Sequence, residues 1–275
     1  MKKPLVTLGA FGLGAALWGH FEAGWVRLRS IPVPLPGLPQ ELDGLRIVHL
    51  SDFHLGFPSR GEAAVERAIE WTAAREPDLV AITGDLLSRP VAEDTLRELL
   101  TRIPGSLAVL GNHDFAHSRD PFSKPSAVSD LPSTTVLFDE ARTVELRGLK
   151  VQIVGVDPRT YRLGSSRPVE LADPEADLRI LLCHFPSVID RVQPGTFDLV
   201  LAGHLHAGQI VVPYGRGKVR FAHLRWTYAE GLYRRPGGVL HVSPGLGTTF
   251  VPFRFFARPE ATELVLRSDA AAYVR

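Results

Sequence analysis

Five short apolar runs of this 275-residue chain are each followed at once by polar residues of types that bind metal ions. The apolar runs are 45–50, 79–83, 106–110, 178–182 and 199–202. The polar residues that follow them are Asp52, His54, Asp85, Asn112, His113, Asp114, His184, His204 and His206. Ligands of open α/β sheets bind beyond the carboxyl ends of the strands. If the runs are strands, these side chains form one ligand-binding site at a sheet edge.

The residue types indicate which ligand such a site would hold. Carboxylate and imidazole groups favour first-row cations such as Mn, Fe, Zn or Co over Ca. Asp52 and His54, like His204 and His206, are two residues apart, so each pair faces one side of an extended segment. The single cysteine, Cys183, excludes an intramolecular disulfide and a thiolate metal cluster. The pattern therefore predicts a transition-metal site without sulfur ligands.

The elements that would position these residues change character along the chain. Segments 61–75 and 91–102 have helical spacing and lie between apolar runs, which predicts a βαβ sheet covered on both faces. The runs 135–138, 143–146 and 151–156 follow one another closely, as in an antiparallel meander. So many strands in a chain of this length predict two stacked sheets with outer helices.

The ordered set of motifs resembles the calcineurin-like metallophosphoesterase superfamily. The motifs are Asp52-x-His54, Gly84-Asp85, Gly111-Asn112-His113-Asp114, His184 and Gly203-His204-x-His206. The downstream segments 231–233 and 242–249 further resemble the membrane-associated bacterial branch of that superfamily. The resemblance implies an α/β fold, a four-layer α/β/β/α sandwich of two mixed sheets with flanking helices.

The resemblance also implies two divalent metal ions (Mn, Fe or Zn) and a role for each candidate residue. The implied ligands are Asp52, His54 and His206 for the first ion, Asn112, His184 and His204 for the second, and Asp85 as the bridge between them. His113 matches a general acid, with Asp114 placed to orient it. The implied reaction is hydrolysis of a phosphomonoester or phosphodiester by a metal-bridging hydroxide.

Other interpretations of the same residues remain open. Asp52, Asp85 or Asn112 could each cap a helix, but capping does not explain why histidines gather at the same strand ends. A second enzymatic function is hydrolysis of a pyrophosphate in a lipid-linked nucleotide, as by a UDP-diacylglucosamine hydrolase; the aromatic segment 250–256 would suit such a lipid. A third is a non-catalytic scaffold on the same fold, and the complete ligand set speaks against it.

Residues 1–44 suggest a membrane connection. Residues 1–30 read as a hydrophobic anchor or signal-like segment, and an uncleaved anchor is favoured because no small-x-small cleavage site follows. Residues 31–44 are rich in proline and read as a tether or an edge element, with the catalytic domain spanning 45–275. We expect association with the bacterial cytoplasmic membrane; which side the domain faces stays open, with the extracytoplasmic side favoured.

Composition limits the range of partners. Lys and Arg number 31 against 30 Asp and Glu, a formal net charge of +1, which gives no sign of a nucleic-acid partner. We therefore expect no nucleic acid, a phosphoester or a lipid-linked phosphate as substrate, and a monomer.

Overall fold

A computed structural model describes residues 3–124, 128, 130–215, 217–222 and 227–268, with side chains from residue 12 onward. Its helices are α1 Lys3–Ala23, α2 Gly61–Arg75, α3 Glu93–Thr101 and α4 Pro158–Leu163. Its strands are β1 Arg27–Pro34, β2 Arg46–Leu50, β3 Leu79–Thr83, β4 Ser106–Val109, β5 Thr134–Val136, β6 Glu140–Leu146, β7 Leu149–Gly155, β8 Leu178–Leu182, β9 Leu199–Ala202, β10 Val211–Tyr214, β11 Gly217–Arg220, β12 Gly231–Arg235, β13 Gly238–Val242 and β14 Glu260–Arg267. The apolar runs predicted to be strands are strands in the structure.

The strands form two mixed six-stranded sheets and one small hairpin. The first sheet has the order β1-β14-β2-β3-β4-β5, in which β2 to β5 are parallel and β14 is antiparallel to β2. The second has the order β12-β13-β9-β8-β7-β6, with β13, β9, β8 and β7 parallel. Strands β10 and β11 form the small antiparallel hairpin. In each sheet the strands that precede candidate ligands are therefore parallel neighbours.

Three apolar cores separate four layers. One core lies between α2, α3 and the first sheet, a second between the two sheets, and a third between the second sheet and α4 with its neighbouring 3-10 turns. Strands buried on both faces explain why the runs are almost continuously apolar. The four-layer α/β/β/α sandwich of two mixed sheets is therefore confirmed, although its second helical layer is thin.

The predicted meander is divided between the two sheets. Strand β5 pairs parallel with β4 in the first sheet, whereas β6 and β7 form an antiparallel hairpin in the second. Between them the chain crosses at Asp139, whose φ of 51° turns it sharply. Leu137 packs against Gly155 of β7, where a Cβ would lie 2.2 Å from that of Leu137, so the crossing is closely packed. Spacing along the chain cannot distinguish such a crossing from a simple turn.

The proline-rich segment is an edge element of the folded domain rather than a free tether. Residues 27–34 form β1, which pairs parallel with β14 along its whole length at the edge of the first sheet. An edge strand tolerates Pro32 and Pro34 because one of its sides has no ladder partner. Beyond it Leu35 and Leu42 are buried in the core between the sheets.

The C-terminal end of helix α1 packs against the domain. The buried Glu22 carboxylate accepts hydrogen bonds from the Ala257 amide at 2.8 Å and from the Trp18 indole at 3.1 Å. The carbonyl of Gly19 accepts from the Arg254 amide at 3.0 Å. Among the described residues, no helix combines the length and the apolar character needed to cross a membrane.

Candidate metal centre

The two sheets bring their parallel strand ends to one place. Asp52 and His54 follow β2, Asp85 follows β3, and His184 follows β8. Residues 111–114 follow β4 in the same sheet as β2 and β3, and residues 203–206 follow β9 beside β8. Parallel neighbours end at the same sheet edge, so the loops of both sheets meet there.

One group of ligand atoms comprises Asp52, His54 and His206. One potential ligand atom from each lies within 4.8 Å of the other two. The Nε2 atoms of His54 and His206 are 3.1 Å apart, and His206 Nε2 is 3.5 Å from an oxygen of Asp52. Three donors this close, from loops of both sheets, can share one ion.

A second group comprises Asp85, His184 and His204, again with potential ligand atoms within 4.8 Å of one another. His184 Nε2 lies 3.0 Å from Nδ1 of His204 and 3.2 Å from Oδ2 of Asp85. The same Oδ2 is 3.6 Å from His54 Nε2, which belongs to the first group. Asp85 therefore stands between the two groups, the place that a bridging carboxylate requires.

The loop after β4 lies against Asp85. The His113 amide donates to Oδ1 of Asp85 at 2.8 Å, and the His113 ring meets the His54 ring edge-on at 4.6 Å between centroids. The Oδ1 atom of Asn112 and the Nδ1 atom of His113 are buried without a hydrogen-bond partner. Both atoms belong to the loop after β4, where they are available to contact a second ion and a substrate.

Asp114 organises this loop through the backbone. Its carboxylate accepts from the amides of Leu86 and Leu87 at 2.8 and 3.0 Å and from the Gly111 amide at 2.8 Å. These bonds connect the loop after β4 to the loop after β3. A direct orienting action of Asp114 on the His113 ring stays a prediction.

Most candidate ligands have a left-handed backbone. The φ angles are 53° for Asp52, 48° for His54, 53° for Asp85, 76° for His204 and 48° for His206. This conformation costs a residue other than glycine about 1 kcal/mol or more, and such strain gathers at functional sites. The surrounding packing maintains it: a Cβ on Gly203 would lie 1.9 Å from the Ser51 hydroxyl oxygen. Strain of this kind is typical of functional sites, and capping a helix does not require it.

The pKa values of the imidazoles differ between the two groups. Burial lowers the pKa of His54 to about 3 and also holds that of His206 well below its ordinary value, so both rings are neutral. Burial would lower the pKa of His184 too, but the Asp85 charge and hydrogen bond and the Asp52 charge outweigh it and raise that pKa to about 9. Without cations, His184 therefore acts as the counter-charge of Asp85.

The donor set fits divalent metal ions. Two buried carboxylates, Asp52 and Asp85, face several imidazoles, and burial raises the pKa of Asp52 to about 6. A cation would balance these charges, and the unpartnered Asn112 oxygen could bind it as a ligand. Cys183 is buried, and burial raises the pKa of its thiol to about 12, so it is unsuited to metal binding.

An apolar pocket opens beside the metal centre. It has a volume of about 410 Å³, and its lining residues are His206, Gln209, Ile210, Phe221, Ala222, Thr249, Phe250 and Val251. Gln209 holds one wall, because its side chain bonds both the amide and the carbonyl of Thr249. Asp120 holds the same turn by accepting from the Thr249 hydroxyl at 2.7 Å and the Phe250 amide at 3.0 Å.

Arg254 is a buried residue beside the candidate ligands that the motifs did not identify. Its side chain is fully buried, and its guanidinium lies 3.2 Å from Nδ1 of His206. The signal available in the sequence was a lone arginine among the aromatic residues of segment 250–256, since a charge within an apolar run must be either paired or exposed. Gln209 and Asp120 carried no comparable signal.

Comparison with known proteins identifies the family. A family model described as calcineurin-like phosphoesterase matches residues 45–208. An uncharacterized metallophosphoesterase of Bacillus subtilis, YkoQ, is 31% identical over 237 residues, which are 82% of this chain and 84% of that protein. The chain therefore belongs to the calcineurin-like phosphoesterase family.

Two further proteins are similar to the chain. A Danio rerio protein named as a transmembrane protein with a metallophosphoesterase domain is 30% identical over 260 residues, covering 86% of this chain and 56% of that one. Among solved structures, nuclease MPE of Pseudomonas putida is 19% identical, with a TM-score of 0.38 and 78% of each chain covered.

Proposed function

We propose that the protein is a dinuclear metal-dependent phosphoesterase. The observation that carries this proposal is that two groups of ligand atoms, each within 4.8 Å, meet at Asp85. The groups come from strand ends of both sheets, so a structural purpose for either sheet alone does not explain them. Membership of the phosphoesterase family supports the chemistry.

The ligands divide between two ions according to the observed groups. Asp52, His54 and His206 would hold one ion, and His184 with His204 the other. Asp85 would contact both, and Asn112 would add its unpartnered oxygen to the second group. When bound, the two cations supply Lewis acidity that activates a water molecule and offsets negative charge on the phosphate.

His113 is the residue that we propose to protonate the leaving group. Its ring lies beside His54, and its Nδ1 atom is buried without a partner. Its backbone is held by the bond from its amide to Asp85, so the ring has a defined position next to the metal groups. A positioned imidazole that donates a proton to the departing oxygen contributes about 10²- to 10⁴-fold to a rate.

The apolar pocket favours a substrate with an apolar portion. Phe221, Phe250 and Val251 line it, and His206 belongs both to this pocket and to the first metal group. A phosphoryl group at the metals would therefore place an attached chain within reach of the pocket. Hydrolysis of a pyrophosphate in a lipid-linked nucleotide is the second candidate function for this reason. The complete ligand groups argue against a non-catalytic scaffold.

A substrate panel tests both candidates. With Mn²⁺ or Zn²⁺ supplied, we expect the full chain to hydrolyse at least one of an aryl monoester, an aryl diester, a nucleotide and a lipid-linked diphosphate. A chelator should abolish the activity, and added Mn²⁺ should restore it. If the pocket receives a chain, long-chain substrates should have a KM about tenfold lower than short-chain analogues, because burying several methylene groups stabilises the complex.

A pair of variants controls for the pocket. Phe250→Ser should raise the KM of long-chain substrates alone, whereas Phe256→Ser changes an exposed aromatic that does not line the pocket and should leave it unchanged. Equal KM values for long and short chains would remove the lipid candidate. Absence of metal-dependent hydrolysis on the whole panel would contradict the phosphoesterase itself.

We further propose that α1 attaches the protein to a bacterial cytoplasmic membrane. The helix exposes large apolar side chains beyond its contact with the domain; among its described side chains these are Leu13, Leu17, Trp18 and Phe21. Exposed apolar surface of this kind is costly in water and suits an interface between lipid and water. The similarity to a relative named as a transmembrane protein supports the proposal.

Vesicle binding tests the role of α1. The full chain should co-sediment with vesicles of phosphatidylcholine and phosphatidylglycerol. Replacing both Leu13 and Leu17 by serine should reduce binding on the order of tenfold or more, because each leucine buried in lipid contributes about 1.5–3 kcal/mol. Val91→Ser, a change at another exposed apolar residue, should have no effect. Equal binding by all three proteins would disprove attachment through α1.

A further inference from the structure

Arg254 is the largest fully buried side chain among the described residues. A buried guanidinium destabilises a fold unless its N–H groups are well hydrogen-bonded. It donates to carbonyl oxygens of Gly247 (3.0 and 2.6 Å), Pro244 (3.0 Å), Gly245 (3.2 Å), Ala257 (2.9 Å) and His206 (3.5 Å). Its planar fork therefore connects loop 244–247 with the loop that carries His206.

Loop 244–247 lies directly against the first pair of metal ligands. The amide of Gly247 donates to the carbonyl of Asp52 at 2.6 Å, and the amide of Leu246 donates to the same oxygen at 3.2 Å. A Cβ on Gly247 would lie 2.2 Å from the carbonyl oxygen of Phe53, and one on Gly245 would lie 2.7 Å from Cβ of Asp52. The loop can approach this closely only because both residues are glycines.

The hydrogen bonds of Arg254 itself reach residues of one metal group. Arg254 contacts the loop of His206 directly, and through loop 244–247 it supports the backbone of Asp52, two residues before His54. Its hydrogen bonds do not extend to Asp85, His184 or His204 among the described residues. The support is needed because Asp52, His54 and His206 all have the left-handed backbone conformation.

We propose that Arg254 is a positioning residue for the ion held by Asp52, His54 and His206, and that the other ion site does not depend on it. The proposal rests on the dinuclear function proposed above. It assigns the arginine a task in metal binding rather than in contact with substrate. Partners that orient metal ligands affect metal affinity about 10- to 100-fold when they are removed.

The same residue connects α1 to the metal centre. Its amide donates to the carbonyl of Gly19 at 3.0 Å, and Ala257, whose carbonyl it bonds, donates to Glu22. The end of α1 is therefore part of the support of the first ion site. Experiments on Arg254 need the full chain, because removing α1 would disturb the same contacts.

The test is the stoichiometry of Mn²⁺ in full-length Arg254→Lys and Arg254→Met. The parent should bind two ions per chain and show the paramagnetic resonance spectrum of a coupled pair. Each variant should retain one ion with parental affinity and lose affinity for the other about 10- to 100-fold, with the spectrum of an isolated ion. Lysine keeps the charge but not the fork, so it should restore little of the lost affinity.

Glu263→Gln is the matched control. Glu263 is fully buried in β14 and pairs with Arg75, so its change also disrupts a buried charge, but away from the ligand groups. It should lower the melting temperature and keep both ions. Two ions with parental affinity in both Arg254 variants, loss of both ions together, or failure of both variants to fold would overturn the proposal. A parent chain that does not bind two ions would contradict the dinuclear function instead.

Discussion

Asp85→Asn should abolish turnover and prevent the protein from binding two metal ions. The Asp85 carboxylate lies 3.6 Å from His54 Nε2 and 3.2 Å from His184 Nε2, so it is placed between both groups. Asparagine keeps the size and one oxygen but removes the negative charge that two cations need. We expect kcat to fall by at least about 10³-fold.

Metal analysis distinguishes this result from a folding defect. The variant should keep the parental circular dichroism spectrum while its metal content falls below one ion per chain at micromolar Mn²⁺. Asp157→Asn is the control, because Asp157 is a buried aspartate that bonds the Arg159 amide at the start of α4 and belongs to neither group of candidate ligands. It should bind two ions. Two ions and normal turnover in Asp85→Asn would exclude a bridging role.

His113→Gln should reduce kcat by about 10²- to 10⁴-fold while leaving two metal ions bound. Its ring lies 4.6 Å from the His54 ring, and its backbone amide bonds Asp85, so it lies beside the candidate metal ligands. Glutamine retains that amide and a polar side chain but cannot donate a proton as an imidazolium does. Metal content and kcat, measured on the same preparation, check the prediction.

The leaving group provides a sharper test of the acid role. The leaving group of a nitrophenyl ester, nitrophenolate, departs without needing a proton. His113→Gln should therefore slow hydrolysis of a nitrophenyl ester far less than hydrolysis of an alkyl ester. His117→Gln, an exposed histidine on the same loop, is the control and should leave both rates unchanged. Equal slowing of both esters would assign His113 to binding or positioning instead of proton donation.

Several features could be predicted from the sequence because they depend on local pattern. Strands buried on both faces must be apolar, and residues with metal-ligand side chains at their ends stand out against such runs. The positions of β2, β3, β8 and β9 were therefore predicted within a residue or two. The order of the motifs also predicted the family and the sandwich of two mixed sheets, which the family model and the structure confirm.

Other features could not be predicted because they depend on contacts between distant segments. β5 and β6 are close in sequence but lie in different sheets, which only their strand pairings show. Pro32 and Pro34 indicated an extended segment, but not that it pairs with β14, more than 200 residues later. Pairing partners at such separation leave no mark in the local pattern.

The sequence by itself determined which side chains are available for metal chemistry, since the type of each donor and its position after a strand can be read directly from the sequence. Only the tertiary structure decided which donors share an ion, because Asp52 meets His206 across 154 positions and between two sheets. It also decided the left-handed ligand backbones and the burial of Arg254, whose partners are carbonyl groups. Every residue carries a carbonyl, so the sequence cannot indicate which carbonyls a buried arginine will find.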